Sequence, residues 1–329
     1  MGGCPVARIW GAVQVAFEPA HKGYLGSRFA YLGEYETKSV QAGCQEITLV
    51  IPEHADLIRP PDQILDVLKE TAYRLPVGRA YDQVRIFVYP GDLGDVGGYV
   101  RGTEHGVNAG PEIIIQENAS IGGPIEFTWR HEYVHTRQSF RLTPELEWFR
   151  EASANYYAYR TALDSGAITP REYDALLAWS YERNYSQRLV QHGDSEVAYL
   201  WGPLVLSRLD AEMRSTSNQT LLDRFRWMNH AETDSDGFSL EQLHHHNASV
   251  GKNTKSVSQE FNLTQAPTSK HPPTPAYLTG PRELPVWIRQ LWLPANLKIL
   301  EMLYAFTGIL WIVIVGANIA SQLGFISRG

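Results

Sequence analysis

The sequence predicts an α+β protein: a mixed β-sheet first, a helical subdomain after it, and one C-terminal transmembrane helix. Three observations carry this. Short runs rich in β-branched and aromatic residues, punctuated by Pro and Gly, fill residues 1–120. Helical periods opened by prolines dominate residues 121–235, and strands followed by helices is the α+β order. A polar linker rich in Pro, Ser and Thr covers residues 236–298, and residues 302–320 then run without a single charge.

Composition narrows the class. A chain of 329 residues, 43% of them hydrophobic, holds one large or two modest domains with a real core. The net charge of -7 and the lack of a basic stripe argue against nucleic acid as a partner. The two cysteines, Cys4 and Cys44, leave room for one bridge and no disulfide framework. No basic start followed by an apolar run marks a secretory signal, and Val6 breaks the myristoylation pattern that Met1-Gly2-Gly3-Cys4 begins.

In chain order, Val6 to Phe17 alternates partially and Ala30 to Glu36 is a short aromatic strand. Glu46 to Ile51 is a clear strand stopped by Pro52. Pro60-Pro61-Asp62 opens a helix to about Leu75, with Ile64, Leu65, Val67 and Leu68 as its apolar positions. Val84 to Tyr89 is a strand closed by Pro90-Gly91, and Glu112 to Gln116 is another beyond a glycine-rich stretch. Helices follow from Pro124, from Pro144 with Thr143 as N-cap, over Pro170–Arg183, Ser195–Arg214 and Thr220–Asn229. A short helix over Ser239–His245 opens the linker.

The chemistry concentrates in His131-Glu132-Tyr133-Val134-His135. This is H-E-x-x-H, the zinc-metallopeptidase pattern. Residues i and i+4 of a helix share a face, so His131 and His135 can present imidazole nitrogens to one Zn²⁺. Glu132 lies about 100° round the same turn, placed to act on water rather than to ligate the metal. A catalytic zinc needs a third protein ligand, which the pattern alone does not supply. Downstream, Thr143-Pro144-Glu145-Leu146-Glu147 leads into Trp148-Phe149-Arg150-Glu151-Ala152-Ser153-Ala154-Asn155-Tyr156.

With that second stretch the chain resembles the gluzincin metallopeptidases, which include thermolysin and the M1 and M61 aminopeptidases. The resemblance covers roughly residues 90–230. It implies a thermolysin-like zincin catalytic domain, with Glu151 as third zinc ligand in the W-x-x-E-[GA]-x-A context. Glu147 is the competing acid, favoured in a first helical turn by the helix dipole. Tyr199-Leu200-Trp201-Gly202 resembles the Y-x-x-G helix of M1-type enzymes, which implies Tyr199 as an oxyanion donor; the ordinary alternative is a half-buried core tyrosine. His192 is a weaker candidate for that task. The resemblance also implies that an edge strand before the zinc helix holds the substrate backbone, with Gly98-Tyr99-Val100 as the candidate and Gly98 and Tyr99 as substrate-binding residues. Asn155, one turn beyond Glu151, is placed to hydrogen-bond a zinc histidine from outside, where relatives often have an acid. No counterpart is evident of the acidic motif with which M1 aminopeptidases grip a substrate's free amine.

Residues 302–320 span about 29 Å as a helix, enough for a bilayer core of about 30 Å. The expectation is a single-pass C-terminal anchor over 299–321, in contact with the lipid bilayer. Arg282, Arg289 and Lys298 before the run and Arg328 after it favour a cytoplasmic N-terminal domain. Five N-x-[ST] acceptors, Asn118, Asn184, Asn218, Asn247 and Asn262, point the other way. His244-His245-His246 is a solvated tract before it is a metal site. The expected function is a membrane-anchored zinc peptidase acting on a peptide or protein substrate. A non-catalytic, membrane-tethered binding module of the same fold is the alternative.

Overall fold

In the computed structural model the described residues are 22–78, 81–91, 97–101, 110–119, 126–182, 196–217, 219–230, 237–239 and 242. The region expected to carry the first strand, most of the linker and the membrane span 302–320 lie outside them, as do His192 and His244–His246. Among the described residues no helix is long and apolar enough to cross a membrane.

The β half is a hairpin and a five-stranded mixed sheet. The hairpin pairs β1 (Gly23–Leu25) with β2 (Ala30–Leu32). The sheet contains β3 (Tyr35–Ala42), β4 (Gln45–Pro52), β5 (Gln83–Tyr89), β6 (Gly98–Arg101) and β7 (Glu112–Gln116), in the spatial order β3-β4-β5-β7-β6. β4, β5 and β7 run parallel, while β3 and β6 are antiparallel at the two edges. A parallel step from β4 to β5 needs a crossover, and helix α1 (Pro61–Arg74) supplies it.

The alternation of side chains divides the sheet's faces. Ile47, Leu49, Ile51, Val84, Ile86, Val88, Ile113 and Ile115 form one apolar face. Against it pack Ile64, Leu65 and Leu68 of α1 and Trp129 and Tyr133 of α2 (Glu126–His135). Aromatic rings populate the other face: Phe29 meets Phe87 and Tyr99 edge-on, and Tyr24 meets Phe87 and Tyr35. The hairpin is fastened there by the fully buried Glu112 of β7. Its carboxylate accepts the backbone N–H groups of Ser27, Arg28 and Phe29, the Ser27 hydroxyl and Arg85 Nη1.

The helical half contains α3 (Trp148–Ser165), α4 (Pro170–Glu182), α5 (Glu196–Ser217) and α6 (Leu221–His230). Its core gathers Trp148, Phe149, Tyr156, Val205, Leu206 and Phe225. Each large apolar side chain so buried contributes about 1.5–3 kcal/mol. Asp210 of α5 ties the bundle together: it accepts from Tyr156 Oη at 2.9 Å, Arg214 Nε at 2.8 Å and the Leu221 amide at 2.7 Å. The start of α6 is closed by a reciprocal cap, Thr220 N–H to Asp223 Oδ2 at 2.9 Å and Asp223 N–H to Thr220 Oγ1 at 3.2 Å.

Three expectations change. The aromatic run from Ala30 splits between β2 and β3, and β3 continues to Ala42 through exposed Glu36 and Lys38, charges that suit an edge strand. Pro52 closes β4 from within, paired with Tyr35. Thr143 does not cap a helix: its amide and hydroxyl both bond the Phe238 carbonyl, residues 144–147 form turns, and α3 starts at Trp148. Cys44 is disulfide-bonded, and the chain's other cysteine, Cys4, lies outside the described residues. Of the five acceptor asparagines only Asn118 is described, exposed in the turn after β7.

Replacing Glu112 by Ala leaves three amides without their acceptor. The expected cost is about 2–3 kcal/mol in a urea titration, with the hairpin the first part of the chain to become protease-sensitive.

Candidate metal centre

Helix α2 is buried on nearly all sides, which explains its weak amphipathic pattern. One side is bolted to the sheet. Tyr133 Oη donates to Gln45 Oε1 at 2.6 Å, Arg137 Nη2 reaches the same oxygen at 3.2 Å, and Gln45 Nε2 is anchored on the Tyr81 carbonyl at 2.8 Å. Buried Arg130 bonds Thr71 Oγ1 of α1 at 2.9 Å. The opposite side carries His131, Glu132 and His135 toward α3, where the late helix start puts Glu151 in the first turn.

There the side chains converge. His131 Nε2 and His135 Nε2 are 3.0 Å apart, and Glu151 Oε2 lies 3.2 Å from the first and 3.3 Å from the second. Among the described residues this is the group able to hold a metal ion. Glu147 is not part of it; its carboxylate pairs with Arg150 Nε at 2.9 Å in a half-exposed position.

The protonation of this cluster follows from its neighbours. Asn155 Nδ2 donates to the Tyr199 carbonyl at 2.7 Å, so Asn155 Oδ1 is the atom 2.7 Å from His131 Nδ1. Gln138 Nε2 donates to the Arg150 carbonyl at 2.7 Å and to Ser153 Oγ at 2.9 Å, so Gln138 Oε1 is the atom 2.8 Å from His135 Nδ1. Carbonyl acceptors fix both amides, and amide oxygens only accept, so each histidine carries its proton on Nδ1. In the neutral form of both rings the Nε2 lone pairs face each other and the Glu151 carboxylate. Three acceptors at 3.0–3.3 Å repel unless a positive charge sits among them. Glu151 Oε2 is buried without a hydrogen-bond donor, as a metal-ligand oxygen would be. Two imidazoles and a carboxylate form a donor set able to hold a zinc ion.

Electrostatics point the same way. Burial would raise the Glu151 carboxyl, but the charge of His135 and the contacts with both histidines hold it well below the usual range. Burial would lower His135, but the negative charge of Glu151 beside it and the Gln138 amide oxygen raise it. A proton and a metal ion therefore compete for one place. Glu132, 5% exposed, is pushed up to about 7, chiefly by burial; His131 opposes the shift and Glu151 adds to it. Glu132 Oε2 is buried without a partner.

Two close approaches complete the site. A Cβ on Gly98 of β6 would come within 2.9–3.0 Å of Glu132 Cγ, Cδ and Oε1. One on Gly202 of α5 would lie 2.3 Å from Ala152 Cβ. The bare backbone at Gly202 lets α5 close on α3, and one turn earlier Tyr199 stacks on His131, ring centroids 5.7 Å apart and planes 19° from parallel.

β6 is an edge of the sheet among the described strands, but the two residues proposed on it differ. Gln116 N–H bonds the Gly97 carbonyl at 3.0 Å, so the alternation turns the backbone groups of Gly97 and Tyr99 to β7 and those of Gly98 and Val100 outward. Tyr99 also sends its ring to the opposite face, onto Phe29 at 5.6 Å and under Arg101 at 5.0 Å. Gly98 stands at the site; Tyr99 faces away from it because side chains alternate along a strand. Sequence reasoning missed Gln138. It follows the motif by three residues, and a glutamine just past a helix end carries no metal-ligand signature.

As a sequence the chain matches no family model and no curated protein. Solved structures with a similar fold exist. An aminopeptidase N family protein from Idiomarina loihiensis superposes with TM-score 0.55 at 15% identity, over 73% of this chain and 48% of its own. An M1 zinc metallopeptidase variant from Deinococcus radiodurans, bound to a Tyr-Ser-Ala substrate, gives 0.53 at 13% identity over 75% and 55%. Legionella pneumophila aminopeptidase A in complex with aspartic acid gives 0.50 at 13% over 72% and 29%. The chain spans about half the length of the first two. It therefore has a mixed α and β fold similar to the one these solved structures share.

Gly202→Ala is expected to destabilise the protein by about 1–3 kcal/mol by wedging α5 off α3. Thermal unfolding measures that cost. Tryptophan fluorescence should shift with it, because Trp148 and Trp201 lie in the core between these helices.

Proposed function

We propose that the protein is a zinc-dependent peptidase, anchored to a membrane by its C-terminal segment, which hydrolyses peptide bonds with Glu132 as general base. The supporting observation is the convergence of His131 Nε2, His135 Nε2 and Glu151 Oε2, with both outer imidazole nitrogens satisfied by amide oxygens. Zinc held by these three residues would supply the Lewis acidity that polarises a scissile carbonyl and acidifies water.

The remaining work belongs to the chain. Glu132 follows a metal-binding histidine and has a buried carboxylate oxygen with no partner, so it is available for a proton. In this reading it takes the proton of the attacking water as the water oxygen bonds the carbonyl carbon. It then delivers that proton to the departing amine nitrogen as the C–N bond breaks. Burial raises its basicity, pushing it up to about 7, while the His131 side chain opposes the shift. Tyr199, stacked on His131, is the candidate donor to the oxyanion. The outward backbone groups of Gly98 and Val100 would pair with an extended substrate strand beside Glu132. The peptide and amino-acid ligands of the solved relatives fit such a substrate.

Glu132→Gln and Glu151→Ala test this in the full chain. Wild type and Glu132→Gln should retain stoichiometric zinc, and Glu151→Ala should lose it. Hydrolysis of a peptide library by Glu132→Gln should fall about 10²–10⁴-fold. Zinc retained by all three proteins would reject the ligand set. Equal activity of wild type and Glu132→Gln would reject the general base. A zinc-loaded wild type that cleaves nothing would favour the non-catalytic binding module.

The anchor rests on the uncharged run 302–320. The full chain should stay in the membrane pellet after alkaline carbonate extraction, and a chain ending at Lys298 should move to the supernatant. A full chain extracted by carbonate rules out the span.

A further inference from the structure

Helix α5 contains a proline in its interior, Pro203. A proline there removes one helix hydrogen bond, and its ring crowds the carbonyl four residues back. That carbonyl belongs to Tyr199, and Asn155 Nδ2 donates to it at 2.7 Å. The same amide accepts the His131 Nδ1 proton through Oδ1 at 2.7 Å. Pro203, Tyr199 O, Asn155 and His131 thus form one chain ending at a candidate metal ligand.

We infer that Pro203 is a positioning residue for His131. It withholds the amide hydrogen that would pull the Tyr199 carbonyl into the helix ladder, and so tilts that carbonyl toward α3. The tilted carbonyl gives Asn155 a fixed acceptor, and only one orientation of the amide satisfies both ends. Asn155 Oδ1 must face His131, and the His131 Nε2 lone pair must face Glu151. This also accounts for an amide at this position. An aspartate would turn an oxygen against the Tyr199 carbonyl with no hydrogen between them. The inference rests on the metal-site reading above and adds a proline on a different helix to the groups that set it.

The test uses full-length wild type, Pro203→Ala, Asn155→Ala and the double variant. Zinc affinity is measured by competition with a chromophoric chelator, ligand geometry from the visible spectrum of the Co²⁺-loaded protein, and stability by metal-free thermal unfolding. Pro203→Ala restores the helix donor. It should leave the metal-free midpoint unchanged or raise it, while zinc affinity falls about 10-fold and the Co²⁺ spectrum changes. Stability and affinity moving in opposite senses is a result that a merely structural proline would not give. In the Asn155→Ala background the Pro203 substitution should have no further effect on affinity. If Pro203→Ala does not fold, Pro203→Val, closer in volume and also carrying the N–H, takes its place. Wild-type affinity and spectrum in the proline variant would overturn the inference and leave the metal site standing. An equal further loss in the Asn155→Ala background would overturn it as well. A wild type that binds neither Zn²⁺ nor Co²⁺ would overturn both readings.

Discussion

Three lone-pair atoms held at 3.0–3.3 Å are the constraint on which the rest of the structure turns. Nε2 of His131, Nε2 of His135 and Oε2 of Glu151 gain nothing from one another without a cation. Keeping them together costs free energy that the surrounding fold must supply. The supply is visible on both sides of α2. Toward the sheet, Tyr133, Arg137 and Gln45 form a buried polar lock. Toward the bundle, Gln138 and Asn155 each join a histidine to a neighbouring backbone carbonyl.

Those two amides explain why the site is ordered through its outer contacts. An amide has a donor end and an acceptor end, so it can tie an imidazole N–H to a helix backbone without leaving either unsatisfied. A carboxylate in the same place would strengthen the imidazole as a ligand but would oppose a carbonyl at the other end. The chain has taken connectivity over basicity at both histidines. Glycine plays the complementary part: Gly202 brings α5 close enough for Asn155 to reach the Tyr199 carbonyl, and Gly98 leaves room for Glu132.

Much of this was legible before the fold was known. The spacing of His131 and His135 follows from helix geometry alone, and Glu151 stood out through its context. Strands β4, β5 and β7 were legible as apolar β-branched runs, because a strand buried on both faces has little choice of residue. The hairpin was not: Gly23–Leu32 is short and partly exposed, and what fixes it is Glu112, far along the chain. Thr143 looked like a cap because Thr-Pro opens many helices, yet a bond to Phe238, distant in sequence, claimed its hydroxyl. Tyr99 was placed by strand identity without its register, and one residue of register reverses which side a residue faces.

The sequence by itself determined the local chemistry: which residues can bind a metal, which helix carries them, and the uncharged run at residues 302–320. These are properties of spacing and composition over a few turns of chain. Only the tertiary structure decided which nitrogen of each histidine faces the centre, that Gln138 holds His135, and that Gly98 rather than Tyr99 stands beside Glu132. Those outcomes depend on hydrogen bonds and close contacts between elements remote in sequence. No local pattern encodes them, because each is settled by what the facing helix or strand presents.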